Sequence, residues 1–236
     1  MLEFKAGIGI TGLNKEEQSS TADYANKGED YYFKLIGESL SDKKTGWKKR
    51  LDHKEKNLDI IVHQRPSDGD DHLARIDVTF RGISLDTMKE FMHDIDSHMS
   101  EGSKMLKETK ILERDENDMP AALYNCVKLP LMNEREMLLK SIFKDYEGGK
   151  YLVLFHSIER DDYPIKPDKI RVNMFRGMLW WQEGDELKST HMQQVNFKGY
   201  FPMRLMNMAV GNAVKKQIRE VMYPKLSKME QQKRAK

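Results

Sequence analysis

The chain has one cysteine in 236 residues, Cys126, so it forms no internal disulfide and offers no thiolate cluster to a metal. A lone thiol fits a reducing compartment, and a cytoplasmic protein is expected. Long apolar runs are missing too. No segment approaches the roughly 20 apolar residues that span a bilayer. The N-terminal MLEFKAGIGITGLNKEEQ carries Glu3 and too short an apolar stretch for a secretory signal. Contact with a membrane is therefore expected to be peripheral. Net charge is nearly absent: 40 Lys and Arg against 38 Asp and Glu leave +2, so no global field draws the chain to nucleic acid, and no zinc-finger spacing or RNA-recognition signature is present.

Catalytic signatures are equally scarce. There is no Gly-x-Ser-x-Gly elbow, no His-Glu-x-x-His and no Gly-rich phosphate loop. In HDIDSH, His93 and His98 are badly aligned on a helix for one metal, and PSDGDD lacks the length and terminal Glu of a calcium loop. No enzyme activity, metal or cofactor is expected.

What is present is a chain whose 39% hydrophobic content suffices for one sizeable core, with no internal repeat. Its charge is uneven. Residues 215–236 hold eight Lys or Arg against Glu220 and Glu230, a local +6, which leaves +2 − 6 = −4 for the rest. Such an end suits anionic lipid or simple solvation.

Periodicity orders the elements. SSTADY supplies caps for a first helix continuing through Tyr24, Tyr31, Tyr32 and Leu35 toward Leu40. Three short antiparallel strands follow between Thr45 and Ile83, with turn chemistry at Lys56-Asn57 and PSDGDD. Ser84 caps a helix with Leu85, Met88, Phe91, Met92 and Ile95 on one face. From Lys104 the chain reads as about six strands, except that NEREMLLKSIFKDY has helical spacing at Met137, Leu138, Ile142 and Phe143. A long amphipathic helix begins near Pro202, with Met203, Met206, Val210, Ala213, Val214, Gln217 and Val221 on one side. The economical architecture is α+β, a strongly curved antiparallel sheet gripping that last helix.

Three stretches resemble the START (StAR-related lipid-transfer) domain family. ALYNCVKLPLMNEREMLL is similar to a strand, Pro-containing loop and strand of that family with an Asn/Arg/acidic signature. YLVLFHSIERDDYPIKPDKIRVNMFRGML resembles the next hairpin, and GYFPMRLMN the entry to the C-terminal helix. The likeness runs from about Tyr24 to Met229. It implies a helix-grip fold with an internal lipid cavity, makes NEREMLLKSIF a strand, and divides the chain into a leader 1–20, a lipid-binding domain 21–229 and a basic tail 230–236. Lipid exchange would then need the helix and a loop, Leu129 to Asn133 or Asp161 to Asp168, to move.

By the same resemblance Leu123, Asn125 and Val127 face the cavity, with Phe175, His191, Gln193 and Val195, beneath a roof of Met203, Met206, Val210 and Val214. Asn125, His191 and Gln193 are head-group candidates, unless they pair with one another or with buried water. The expected partner is one lipid, a sterol, diacylglycerol, ceramide or phospholipid, together with a transient membrane surface. Choline-binding members cage their ligand with aromatic rings, an acid and an arginine. Only Phe175 resembles that cage here, so phosphatidylcholine is not the expected ligand. The expected function is to carry or sense a lipid between membranes. Two other classes stay open: an adaptor with a filled pocket, and a helix-grip enzyme, for which only His191 stands out as an acid/base group.

Overall fold

Alternation in LDIIVHQRP and DHLARIDVTFR buries Leu58, Ile60 and Val62 opposite Ile76, Val78 and Phe80, as expected of paired strands with one face on a core. The computed structural model describes residues 20–66, 71–100, 106–128, 133–198 and 203–235. Two helices come first, α1 (Ser20–Ala25) and α2 (Glu29–Ile36), then strands β1 (Lys48–Glu55), β2 (Leu58–Pro66) and β3 (Asp71–Arg81). Helices α3 (Leu85–His93) and α4 (Ile95–Ser100) follow. The second run of strands is β4 (Leu106–Arg114), β5 (Pro120–Val127), β6 (Glu134–Tyr146), β7 (Lys150–Ser157), β8 (Lys169–Arg171), β9 (Asn173–Glu183) and β10 (Glu186–Asn196). The chain closes with α5 (Met203–Lys216), a π-helical stretch (Gln217–Met222) and α6 (Tyr223–Arg234).

The strands form one sheet in the order β1-β2-β3-β10-β9-β7-β6-β5-β4, antiparallel throughout, with β8 added in parallel to β6. One face packs against α3 and the C-terminal helix, burying Met88, Phe91, Met92, Ile218, Met222 and Leu226. The other carries α1 and α2, whose Tyr24, Tyr32 and Leu35 bury Leu152, Leu154, Phe175 and Met192. Tyr32 fits there because β9 has Gly177 beneath it: a Cβ at that position would lie 2.2 Å from the ring.

The structure departs from the sequence reading at both early helices and at one strand, and at another it sides with the resemblance against the periodicity. The first helix is broken at Lys27-Gly28 and the middle one at Asp94. The segment NEREMLLKSIFKDY is a strand, β6, as the resemblance implies, and its helical spacing misleads because apolar residues on both of its faces are covered: Leu139 belongs to one core and Ile142 to the other. The run KIRVNMFRGMLWW, one of the strands read after Lys104, is split at Val172. Its first part leaves for β6, where the Arg171 guanidinium meets the fully buried Glu136 carboxylate at 2.8 Å.

The boundary drawn at 229/230 falls inside α6, where Glu230 is buried against α3. Its carboxylate accepts hydrogen bonds from the Ser84 amide (3.0 Å), the Ser84 hydroxyl (2.7 Å) and the Thr87 hydroxyl (2.6 Å). Residues 1–19, 67–70, 101–105, 129–132, 199–202 and 236, which include most of the expected leader, the PSDGDD turn signal, part of the Leu129 to Asn133 segment and Pro202, lie outside the described residues.

The last helix widens for a chemical reason. Pro224 has no N–H to offer the Glu220 carbonyl and its ring crowds that oxygen, so an ordinary turn fails there. The preceding turn relaxes to i→i+5 bonding, and the Tyr223 N–H reaches the Ile218 carbonyl.

Candidate functional site

A cavity of about 320 Å³ separates the sheet from α5 and the π-helical stretch. Its sheet wall takes Ile76 from β3, Gln193 and Val195 from β10, Met174 and Arg176 from β9, Arg135 and Met137 from β6, Asn125 and Val127 from β5, and Leu106 from β4. Strands β3 and β4 are six steps apart in the sheet order. Flat, they would stand about 29 Å apart at the usual strand spacing, so the sheet must curl around the helix to bring them to one space. The helix wall is Val210, Ala213, Val214, Gln217 and Ile218. Gly211 lets α5 lie close to the edge of the sheet: a Cβ there would sit 3.0 Å from the Arg50 carbonyl oxygen and 3.2 Å from the Leu51 Cβ.

The residues singled out from sequence are distributed as follows. Asn125, Val127, Gln193, Val210 and Val214 line the cavity. Leu123 is on the same face of β5 but lies in the packed core, paired with Ile111 and Leu139. His191 is also on this face but is not part of the cavity lining; it is 1% exposed and edge-on to Trp180 at 4.9 Å. Met203 and Met206 belong to α5, but their side chains lie outside the described residues.

Phe175 lies on the opposite face of the sheet, against Tyr31 of α2 with ring centroids 5.1 Å apart. The reason is parity. Displacing a strand by one residue exchanges its two faces, and placing Phe175 inward puts Arg176 outward, whereas Met174, Arg176, Met178 and Trp180 are the inward series. The loop Asp161 to Asp168 likewise sits on the outer face. There Tyr163 packs on Tyr124, and the Tyr163 and Pro164 carbonyls accept from Arg171.

Several polar groups in this region are enclosed without a protein partner. The Asn125 Oδ1, the Arg176 Nε and both ring nitrogens of His191 make no hydrogen bond. Burial, with the Arg176 charge adding to it, holds the His191 imidazole well below its ordinary 6.5, so the ring is neutral near pH 7. Arg135, whose Nη1 donates to the Asn133 carbonyl at 2.8 Å, is also held below its ordinary value by burial. Two arginines and no carboxylate line the cavity among the described residues. Sequence reading missed both as cavity residues. The signal for Arg176 was an arginine in phase with Met174, Met178 and Trp180.

An open antiparallel sheet curled onto a long C-terminal helix, with a mostly apolar hollow between them, defines a helix-grip protein. The START domain family model matches residues 38–231, and the chain belongs to that family. Among solved structures, human STARD10 is 17% identical with a TM-score of 0.59, covering 86% of this chain and 80% of its own. Human StAR-related lipid transfer protein 5 is 14% identical with a TM-score of 0.57, covering 93% and 99%. The lipid transfer and protein localization domain of human StarD13 (DLC2) is 13% identical with a TM-score of 0.56, covering 89% and 96%. At these identities the likeness is one of fold. A comparison with curated proteins finds no match. Among the described residues no helix is long and apolar enough to cross a membrane.

Proposed function

We propose that this chain encloses one lipid between sheet and C-terminal helix and carries or presents it between membranes, acting as a non-enzymatic binder in the cytoplasm. The observation that carries the reading is the cavity itself, apolar along most of its wall yet holding enclosed polar atoms such as the Asn125 Oδ1. An adaptor with a filled pocket would have packed this space, because close packing is the default of protein interiors. Lipid transfer named for human StAR-related lipid transfer protein 5, which shares the fold, points the same way.

The energetics explain why an enclosed site is needed. Each methylene withdrawn from water contributes about 0.8 kcal/mol, so a long acyl chain crosses the aqueous phase only inside an apolar sheath. Entry and exit call for movement of α5, since Val210 and Val214 form part of the wall. Membrane contact is peripheral in this reading, and the basic C-terminal end is only partly available for it. Arg219 pairs with Glu55, Lys233 with Glu90 and Arg234 with Glu230.

The test is mass spectrometry of the intact purified chain and of its organic extract, combined with transfer between donor and acceptor vesicles. One lipid per chain and measurable transfer are expected, with Val210→Arg losing both because it sets a charge against an apolar wall. A lipid-free chain that transfers nothing overturns the reading.

A further inference from the structure

Arg176 stands apart from the other charged side chains in the sheet. It lies mid-strand on β9, with Gln193 of β10 and Phe155 of β7 as its strand neighbours. Accessible surface alone makes it half-buried, but what is accessible faces the cavity it lines. Its Nε makes no hydrogen bond to the protein, no ion pair reaches its guanidinium, and no carboxylate is in the cavity wall among the described residues. Arg171, by contrast, is buried against the Glu136 carboxylate, and the cavity's other arginine, Arg135, donates to the Asn133 carbonyl. An enclosed guanidinium without a counter-ion is costly, and such charges concentrate where a ligand completes them. Burial pushes its proton affinity down to about pH 10, still far enough above neutrality to keep the charge.

We infer that Arg176 receives the head group of an acidic amphiphile, an oxyanion such as a carboxylate or a phosphate, whose hydrocarbon chain occupies the apolar remainder of the cavity. This rests on the lipid-carrier reading above and names its ligand class. The planar guanidinium fork matches an oxyanion with two parallel N–H donors, which a hydroxyl head group cannot use fully. His191, two residues along the strand and one strand over, is in phase with Met178 and offers a neutral ring whose N–H has no other acceptor. Gln193, on the same strand as His191, is the residue directly opposite Arg176. A volume of about 320 Å³ suits one chain better than two, lying at the low end of the roughly 300–1,000 Å³ of ligand pockets.

The experiment uses the delipidated full chain and a displaceable fluorescent probe of the cavity, titrated with oleate, 1-oleoyl-lysophosphatidate, oleyl alcohol and inorganic phosphate. The acids should bind about 10- to 100-fold tighter than the alcohol, as a charge-assisted hydrogen-bond pair implies. Whichever acid is tighter identifies carboxylate or phosphate as the head. Inorganic phosphate, lacking a chain, should displace nothing. Arg176→Met should bring the acids to the level of the alcohol while the alcohol is unchanged. Arg176→Lys should keep part of the preference, and Arg176→Gln repeats the neutral test should the methionine variant fold poorly. Equal binding of acid and alcohol by the wild type, or an acid preference that survives neutralisation of Arg176, overturns the assignment and leaves the carrier reading intact. Failure of every amphiphile to bind overturns both.

Discussion

Replacing Arg176 with methionine is expected to raise the stability of the lipid-free protein, the reverse of what most core substitutions do. The side chain keeps its apolar stem and loses a charge that no protein group neutralises. Depression of the guanidinium from its usual range above 12 to about 10 corresponds to about 3 kcal/mol against the charged form. Access from the cavity screens part of this, leaving roughly 1–3 kcal/mol. For a base lowered in the folded state, the penalty is fully present below the folded value and is relieved only as pH rises through 10 and beyond. The gain should therefore be constant between about pH 6 and 9. At roughly 2–4 °C per kcal/mol for a chain of this size, the melting temperature should rise by about 4–8 °C for a gain near 2 kcal/mol. Scanning calorimetry on delipidated protein measures this directly. An acidic amphiphile at 100 times its Kd should then stabilise the wild type by about 2.7 kcal/mol and the variant by much less, so that the order of stability inverts. A variant that melts lower than the wild type without lipid refutes the reasoning, because the charge would then be satisfied inside the protein.

Three other perturbations probe the elements that hold the cavity open. Gly211→Ala should push α5 off β1, since its Cβ meets the Arg50 carbonyl at 3.0 Å; a loss of about 1–3 kcal/mol from overpacking, read by urea unfolding, should accompany faster probe exchange, and unchanged exchange would separate α5 position from lipid access. Gly177→Ala should cost more, because its Cβ would lie 2.2 Å from the Tyr32 ring, and α2 should lose amide-exchange protection before the sheet does. Glu230→Gln should alter the acid limb of stability. Burial pushes this carboxyl up, but hydrogen bonds from Thr87 and Ser84 outweigh it and hold it at about 2 instead of 4.5. Its contribution is thus present above pH 4.5 and lost as pH falls toward 2. The shift caps it at about 3 kcal/mol, and a site on the rim of a surface crevice reduces this to roughly 1–2; identical pH profiles for variant and wild type would show that the contact does not hold α6.

The fold was legible wherever one face of an element meets the core and the other meets water. Residues Leu58 to Val62 and the Ser84-capped helix announce themselves by period 2 and by a cap that the Thr87 amide indeed uses. Legibility failed where both faces are covered. The strand β6 packs Leu139 toward the C-terminal helix and Ile142 toward α2, so alternation is lost and an accidental helical spacing takes its place. Phe175 failed for a related reason: β9 is also covered on both faces, so either parity buries apolar side chains, and only Arg176 distinguishes them. The inward placement of Phe175 comes from the family resemblance, which carries no parity signal of its own where a strand is buried on both faces.

The same arginine revises what the polar residues ask of a ligand. Asn125, His191 and Gln193 taken alone suit a hydroxyl head group, since each is neutral. With Arg176 directly opposite Gln193 and diagonal to His191 on the inner face, the group becomes cationic, and a neutral ligand would leave its charge unmet. The helix above it is fastened unequally. At one end α6 is tied to α3 through Glu230, and at the other α5 approaches β1 closely at Gly211. Between them, the turn that Pro224 widens places Gln217 and Ile218 on the cavity wall. A helix anchored beyond its weak turn bends at that turn more readily than it detaches. Opening should therefore swing α5 while α6 stays in place, exposing the cavity from the Val210 side first. Amide exchange should accordingly be faster in 210–216 than in 223–230, and equal protection of the two would mean that the helix moves as one rod.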